Sequence, residues 1–303
     1  MRNSFIKDLS QLAKADPSIF LITGDLGYGV LDEFEKLYPN QYLNAGIAEQ
    51  SMLSAAAGMA SRGFKVFVYS IANFPTFRAL EQIRNDICYM DNPVTIVSVG
   101  AGLSYGSLGY SHHAVEDISI MRALPNMDIY SPCDPSDVEF CLEEIIRNSK
   151  PAYLRLGKGG EEVLSSKESK ERLPYRNLRS GKDGTLLFTG AIGAIALEAA
   201  DELQRIGKSV SVFGLNQICD SSLQVVIENT MDAPVLTIEE HRLQGGVGSW
   251  LLEGFFDRNI IPRFGRIGLA PKLEAEIGSR EYLLGLHKLT SKSVVEKFTT
   301  ISN

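Results

Sequence analysis

Tryptophan occurs once, at Trp250, and histidine and cysteine four times each in 303 residues. Cys88, Cys133, Cys141 and Cys219 show no C-x-x-C spacing, which excludes the common zinc and disulfide frameworks and predicts reduced, mostly packed thiols. An excess of cations is also missing. Thirty Lys and Arg against thirty-seven Asp and Glu leave a formal charge of −7, so the field that holds a phosphate backbone is absent and nucleic acid is a poor partner. Long apolar runs are lacking too. The most apolar stretch, residues 185–200, contains Gly190, Gly193 and Glu198, and the segment Met1-Arg2-Asn3-Ser4-Phe5-Ile6-Lys7-Asp8 mixes charges into any would-be signal core. A soluble, unexported, cytoplasmic chain with no membrane contact is expected.

The chain is 44% hydrophobic, enough to bury a core in each of two domains of ordinary size. From residue 4 to residue 156 the pattern alternates between helical period and short β-rich runs, the signature of an α/β domain built on a parallel sheet. Strands are expected at 19–23, 65–70, 94–99, 127–130 and 152–156, each apolar enough to be covered on both sides. Helices are expected at 47–60, 74–90 and 135–148, the last after a capping Asp134. Residues 157–184, rich in Gly, Glu, Lys and Ser, break the rhythm. The predicted architecture is therefore α/β with two tandem domains, 1–165 and 185–303, joined by a linker at 166–184. Each domain should hold a mostly parallel sheet flanked by helices. In the second, strands are expected at 185–189, 209–213, 234–239 and 264–267, with helices at 192–205, 223–229, 247–257 and 292–301.

Ligands of open α/β sheets sit beyond the carboxyl ends of the strands, so the loops after strands hold the candidate site residues. Gly24-Asp25-Leu26-Gly27-Tyr28-Gly29 follows the first strand, and Asn44-Ala45-Gly46-Ile47-Ala48-Glu49-Gln50 opens a helix of small residues. Residues 70–77 include Phe74 and Phe77, and residues 100–113 end in His112-His113. Each has a plain alternative. Glu49 is also the acid that a helix N-terminus favours, Phe74 and Phe77 also fit a core stripe, and the paired histidines fit a solvated loop as well as proton transfer. Gly190-Ala191-Ile192-Gly193 lacks the third glycine of a dinucleotide fingerprint and reads as a tight strand-to-helix turn.

Taken in order and with their spacing, Asn44 to Gln50, Phe74-Pro75-Thr76-Phe77, Gly109-Tyr110-Ser111-His112-His113, Leu124-Pro125-Asn126-Met127 and Ser131-Pro132-Cys133-Asp134 resemble the pyrimidine-binding domain of transketolases and deoxyxylulose-phosphate synthases. The second half resembles their C-terminal domain. The resemblance implies thiamine diphosphate as cofactor, whose own 4′-amino group removes the C2 proton once a buried carboxylate holds N1′ of the aminopyrimidine. Glu49 stands at that carboxylate's place in the family's G-I-x-E-Q/H motif. By the same matching Phe77 stacks on the pyrimidine, Phe74 lines the pocket and Asp25 touches the cofactor near its thiazolium. His112 falls on the substrate-contacting histidine, His113 replaces the usual glutamine, and Arg2 and Arg155 fall on two arginines that bind a sugar phosphate.

The family's G-D-G motif, which holds the diphosphate through Mg²⁺, does not occur in this sequence. The resemblance therefore implies the second half of a split enzyme. An N-terminal partner subunit would carry the diphosphate and Mg²⁺ site in an α2β2 assembly, and this chain would supply no metal ligand. Leu108 stands where transketolases place an aspartate that reads a substrate hydroxyl, and Gly100 and Gly29 replace a histidine and a serine that assist phosphate binding. The expected reaction is two-carbon ketol transfer between small-molecule sugars, on a specialised ketose. Two rival readings are the beta subunit of a 2-oxo acid dehydrogenase and a non-catalytic binding subunit. For residues 239–248 the resemblance implies a structural role.

Overall fold

The computed structural model describes residues 1–164, 173–230, 233–272 and 275–302. Most of the 166–184 linker's first half, and the expected boundary at residue 165, lie outside the described residues. The elements run α1 (Arg2–Ala15), β1 (Ile19–Thr23), α2 (Asp32–Leu37), β2 (Tyr42–Asn44), α3 (Glu49–Ala60), β3 (Lys65–Ile71), α4 (Leu80–Gln82), β4 (Val94–Val99), α5 (Asp117–Arg122), β5 (Asp128–Tyr130), α6 (Val138–Asn148) and β6 (Ala152–Leu156). They continue with β7 (Tyr175–Arg179), β8 (Thr185–Thr189), α7 (Gly193–Arg205), β9 (Ser211–Leu215), β10 (Gln217–Ile218), α8 (Asp220–Glu228), β11 (Val235–Arg242), α9 (Val247–Phe256), β12 (Phe264–Leu269), α10 (Arg280–Leu286) and α11 (Ser291–Ser302).

Two sheets result, in the orders β10-β5-β6-β4-β3-β1-β2 and β12-β11-β8-β9-β7. All pairings are parallel except β10 with β5 and β7 with β9. The fully buried strand β4 explains its unbroken run of β-branched residues, because helices cover both faces of a parallel sheet. On one side α1 buries Phe5, Leu9 and Ala13, spaced four apart, and packs with α6. On the other, α3 buries Met52, Leu53, Ala56, Ala57 and Ala60, and these small side chains let the helix lie close to the sheet. Both antiparallel edge strands come from segments that cross the expected boundary. Strand β7 falls inside the expected linker, and β10 leaves the second unit to complete the edge of the first sheet.

Strand order reverses once in each sheet. The chain goes from β1 to β2 on one side and returns to β3 on the other, and likewise from β8 to β9 and back to β11. A crevice must therefore open beyond the carboxyl ends of β1 and β3, and a second beyond those of β8 and β11.

Candidate active site

The first crevice is lined by the loops that follow β1, β2 and β3. Asp25 sits at φ 58°, a left-handed conformation that aspartate tolerates. Its carboxylate accepts hydrogen bonds from the Tyr28 hydroxyl at 2.5 Å and from Asn44 Nδ2 at 3.2 Å. These two bonds hold the exposed carboxyl below its ordinary pKa. Asn44 Oδ1 in turn accepts from the backbone N–H groups of Asp25 and Gly46, each at 3.0 Å. Asn44 thus ties the loop carrying Asp25 to the approach of α3.

Glu49 is the first residue of α3, where a negative charge is favoured, yet it is only 2% exposed. Among the described residues its carboxylate is engaged through Oε2 alone, which accepts from Arg78 Nη1 at 2.8 Å. Arg78 is half-exposed, and its guanidinium carbon lies 5.1 Å from the centre of the Phe74 ring. The Phe74 ring is 5.3 Å from the His112 ring, edge to face. A continuous run of contacts therefore joins Glu49 to His112 through Arg78 and Phe74. The helix expected over 74–90 is interrupted, because π-helical turns occupy Phe74–Arg78 and Ile83–Tyr89 on either side of α4. Thr76 Oγ1 donates to the Ala72 carbonyl at 2.5 Å within the first of these wide turns. The core-stripe alternative fails for both aromatics: Phe74 is half-buried and Phe77 is 46% exposed. Sequence reading overlooked Arg78, whose only signal is its position four residues after Phe74.

Residues 102–114 form an Ω-type loop closed by reciprocal bonds between Gly102 and Ala114, N–H to O at 2.9 Å each way. His112 lies on its outer part, with Nδ1 3.0 Å from Ser111 Oγ. Asn73 Nδ2 donates to the Ser111 carbonyl at 3.1 Å, docking the loop against the one that carries Phe74. Leu108 is 51% exposed on the same loop. His113 departs from the substrate-binding expectation. It is 3% exposed, and burial pushes its pKa down against a hydrogen bond to the Gly106 backbone. It packs the inside of the loop as a neutral ring.

Arg155 also departs from expectation. Alternation along β6 turns it into the seam between the two units, where it is 2% exposed. Its Nε donates to Asp117 Oδ2 at 2.7 Å, and its Nη2 donates to the carbonyls of Ala114 and Glu240 at 3.0 and 3.1 Å. That shell leaves no face for a phosphate. The cations at the mouth are Lys158 and Arg2. Lys158 Nζ stands 5.5 Å from the Tyr105 ring centre, and Arg2 hydrogen-bonds the same tyrosine and lies beside Gly159. Tyr105, whose ring is 6.4 Å from that of His112, explains Gly100, since a Cβ at position 100 would stand 2.2 Å from two of its ring atoms. Neither Lys158 nor Tyr105 was singled out from the sequence. A single lysine in a Gly-rich stretch and a tyrosine in a turn carry no pattern.

The second crevice is filled. Strand β11 runs three residues further than expected, so Glu240, His241 and Arg242 are buried strand residues. Glu239, 1% exposed, accepts from the N–H groups of Val247 and Gly248 at the start of α9. Burial pushes its pKa up to about 7 in spite of those two bonds. Glu240 is held by Arg280.

A family model described as the transketolase pyrimidine-binding domain matches residues 1–160. One of the two subunits of the apulose-4-phosphate transketolase of Phocaeicola vulgatus is 32% identical over 256 residues, covering 83% of this chain and 82% of that protein. A 6-deoxy-6-sulfo-D-fructose transketolase subunit from Clostridium sp. is 28% identical, covering 97% and 92%. A solved structure described as a split gene transketolase, inactive beta4 tetramer, superposes with a TM-score of 0.86 at 31% identity, covering 99% and 97%.

Proposed function

This chain belongs to the transketolase family, and we propose that it is the C-terminal subunit of a split, thiamine diphosphate-dependent enzyme. The reaction moves a two-carbon ketol unit from a ketose donor to an aldehyde acceptor. The observation that carries this reading is Glu49, a carboxylate withdrawn from water at the rim of an open crevice, with one oxygen engaged and exposed Phe77 beside its loop. Those residues suit the aminopyrimidine half of the cofactor: an acceptor for a ring N–H, a flat aromatic face and a rim open to solvent. Bound thiamine diphosphate supplies the carbon nucleophile for the transfer.

This chain's residues do the rest. Glu49 holds a proton at N1′ of the pyrimidine, Arg78 fixes the carboxylate from its solvent side, Phe77 stacks on the ring and Phe74 lines the pocket. Asp25, anchored by Tyr28 and Asn44, faces the remainder of the cofactor. His112 hydrogen-bonds the substrate oxygen. Lys158 and Arg2 receive the anionic end of the sugar as point charges flanking Tyr105, in place of Arg155. Leu108, with Gly29 and Gly100, removes polar partners that a standard pentose phosphate would use, at about 1–3 kcal/mol of discrimination per unpaired contact. The related proteins named for apulose 4-phosphate and 6-deoxy-6-sulfo-D-fructose support a specialised ketose.

Among the described residues no three His, Cys, Asp or Glu side chains converge as a metal site, and no G-D-G motif occurs. The diphosphate and Mg²⁺ accordingly belong to an N-terminal partner subunit, in an α2β2 heterotetramer of the cytoplasm. Mixing this chain with that partner tests the reading. Alone, it should give no ketol transfer and negligible Mg²⁺-dependent affinity for thiamine diphosphate; the pair should give both. Turnover by the isolated chain would overturn the split, and reductive acylation of a lipoyl domain in place of transfer to an aldehyde would overturn the transketolase chemistry.

A further inference from the structure

The loop that carries His112 is built by the first unit but gripped by the second. Its neck, Gly102 to Ala114, rests on two side chains. Glu240, 4% exposed, accepts the Leu103 N–H at Oε1 at 2.8 Å. Arg155 donates one Nη2 to both the Ala114 and the Glu240 carbonyls. Gly102, at φ +62°, is required by this contact, since a Cβ there would lie 2.5 Å from Cγ and Cδ of Glu240. Behind Glu240 stands Arg280, the first residue of α10. It grips the carboxylate as a fork, Nε to Oε1 at 3.0 Å and Nη2 to Oε2 at 2.6 Å, and Nη2 also donates to the Ala191 carbonyl at 2.9 Å. A planar fork fixes a carboxylate in direction as well as distance, which an ammonium group does not. The back of the loop is closed by the same short helix, because Gly106 lies against the Gly278 carbonyl and the Leu283 side chain so closely that a Cβ would come within 2.6 and 2.7 Å of them. Finally Val115 O, just past the neck, accepts the Arg242 N–H at 2.8 Å.

Every one of these contacts fixes the histidine loop, and none reaches Glu49, whose partner Arg78 sits on a different loop. We propose that Glu240 and Arg280 are positioning residues for the transfer step: this clamp, contributed by the C-terminal unit, sets where His112 stands relative to the substrate without taking part in activation of the cofactor. The inference rests on the function proposed above. It also gives the second unit a part in the chemistry beyond assembly.

The test uses the complex reconstituted with the partner subunit and reads two quantities on the same samples, deuterium exchange at thiamine C2 and ketol transfer. Arg280→Met should leave exchange within about twofold of wild type while kcat for transfer falls at least tenfold and its pH profile shifts on the limb set by His112. Arg280→Lys, which restores the charge but not the fork, should recover part of the loss. Glu240→Gln, which keeps an acceptor for Leu103 and weakens the fork, should show the same split more mildly, and it serves if Arg280→Met fails to fold. Unchanged transfer in folded Arg280→Met and Glu240→Gln would overturn the proposal. So would exchange and transfer falling in parallel with no rescue by lysine, since that pattern means general loosening. A failed functional reading looks different: there Glu49→Gln would leave exchange untouched.

Discussion

The two sheets solve the same topological problem and finish it in opposite ways. Each reverses its strand order once and so creates a crevice at the carboxyl ends of two neighbouring strands. Beyond β1 and β3 the crevice stays open. Its groups are half-exposed or engaged on one side only: Asp25, Phe77, Arg78, and Glu49 with a single partner. Beyond β8 and β11 the equivalent space is packed with Glu240, His241, Arg155 and Arg280, nearly all of whose polar atoms point at one another or at backbone. An identical layout thus serves as a reaction site where partners are left over and as a joint where they are not. The distinction lies in how completely each charge is satisfied.

If that contrast is right, changes at the joint should damage stability, and changes at the open crevice should damage chemistry. The largest effect is expected for Arg155→Ala. It strands Asp117, 0% exposed, and the carbonyls of Ala114 and Glu240, and should cost about 3–5 kcal/mol in urea unfolding. A loss below about 1 kcal/mol would dissolve the contrast.

Glu239 sharpens it through pH. Its folded pKa, raised by burial to about 7 from an ordinary 4.5, means that the folded state binds the proton more tightly than the unfolded one. The associated stability is fully present below about pH 4.5 and is lost as pH rises through about 7, on the order of 3 kcal/mol in all. Subtracting the urea-unfolding profile of Glu239→Gln from that of wild type should reveal this slope, and a flat difference between pH 5 and 7.5 would count against it.

At the open crevice, Glu49→Gln should slow C2 deuterium exchange in the complex by about a hundredfold, which is about 2.7 kcal/mol of barrier. Its unfolding free energy should move by about 1 kcal/mol or less, because its one ion pair reaches a half-exposed arginine. Smallest is Lys158→Ala. With a phosphorylated donor, KM should rise about tenfold while kcat and unfolding stay near wild type, the mark of a binding contact made equally in ground and transition states. A KM unaffected by this change would return the anion to Arg2 alone.

What was legible in the sequence followed from burial. Strands β1, β3, β4 and β6 and the inward faces of α1 and α3 are continuous or periodic apolar runs, and a parallel sheet between two helical layers demands them. Strands β2, β7 and β10 have five residues or fewer and are held by backbone pairing at sheet edges, which leaves little trace in side-chain pattern. Glu49, Phe74, Phe77 and His112 could be named from motifs, and the structure brings Glu49, Phe74 and His112 into one run of contacts. Arg155 and His113 could not be placed. Whether a charged side chain on a strand or loop faces a cleft or a seam depends on the packing of a second unit more than eighty residues away, as the Arg155 to Glu240 bond shows. Arg78 was hidden by the π-helical turn, since ordinary helical spacing does not describe the geometry that seats its guanidinium over Phe74.

The two-residue strand β10 has a practical consequence. By laying Gln217 and Ile218 against Tyr130 and Ile129 it covers the rim of the larger sheet with a piece of the smaller one's chain. Cutting the polypeptide near its middle would leave that rim bare, a template for indiscriminate strand addition and aggregation. Expression of the amino-terminal half as a free fragment should therefore yield insoluble material, so the gene is poorly suited to a second fission at this point.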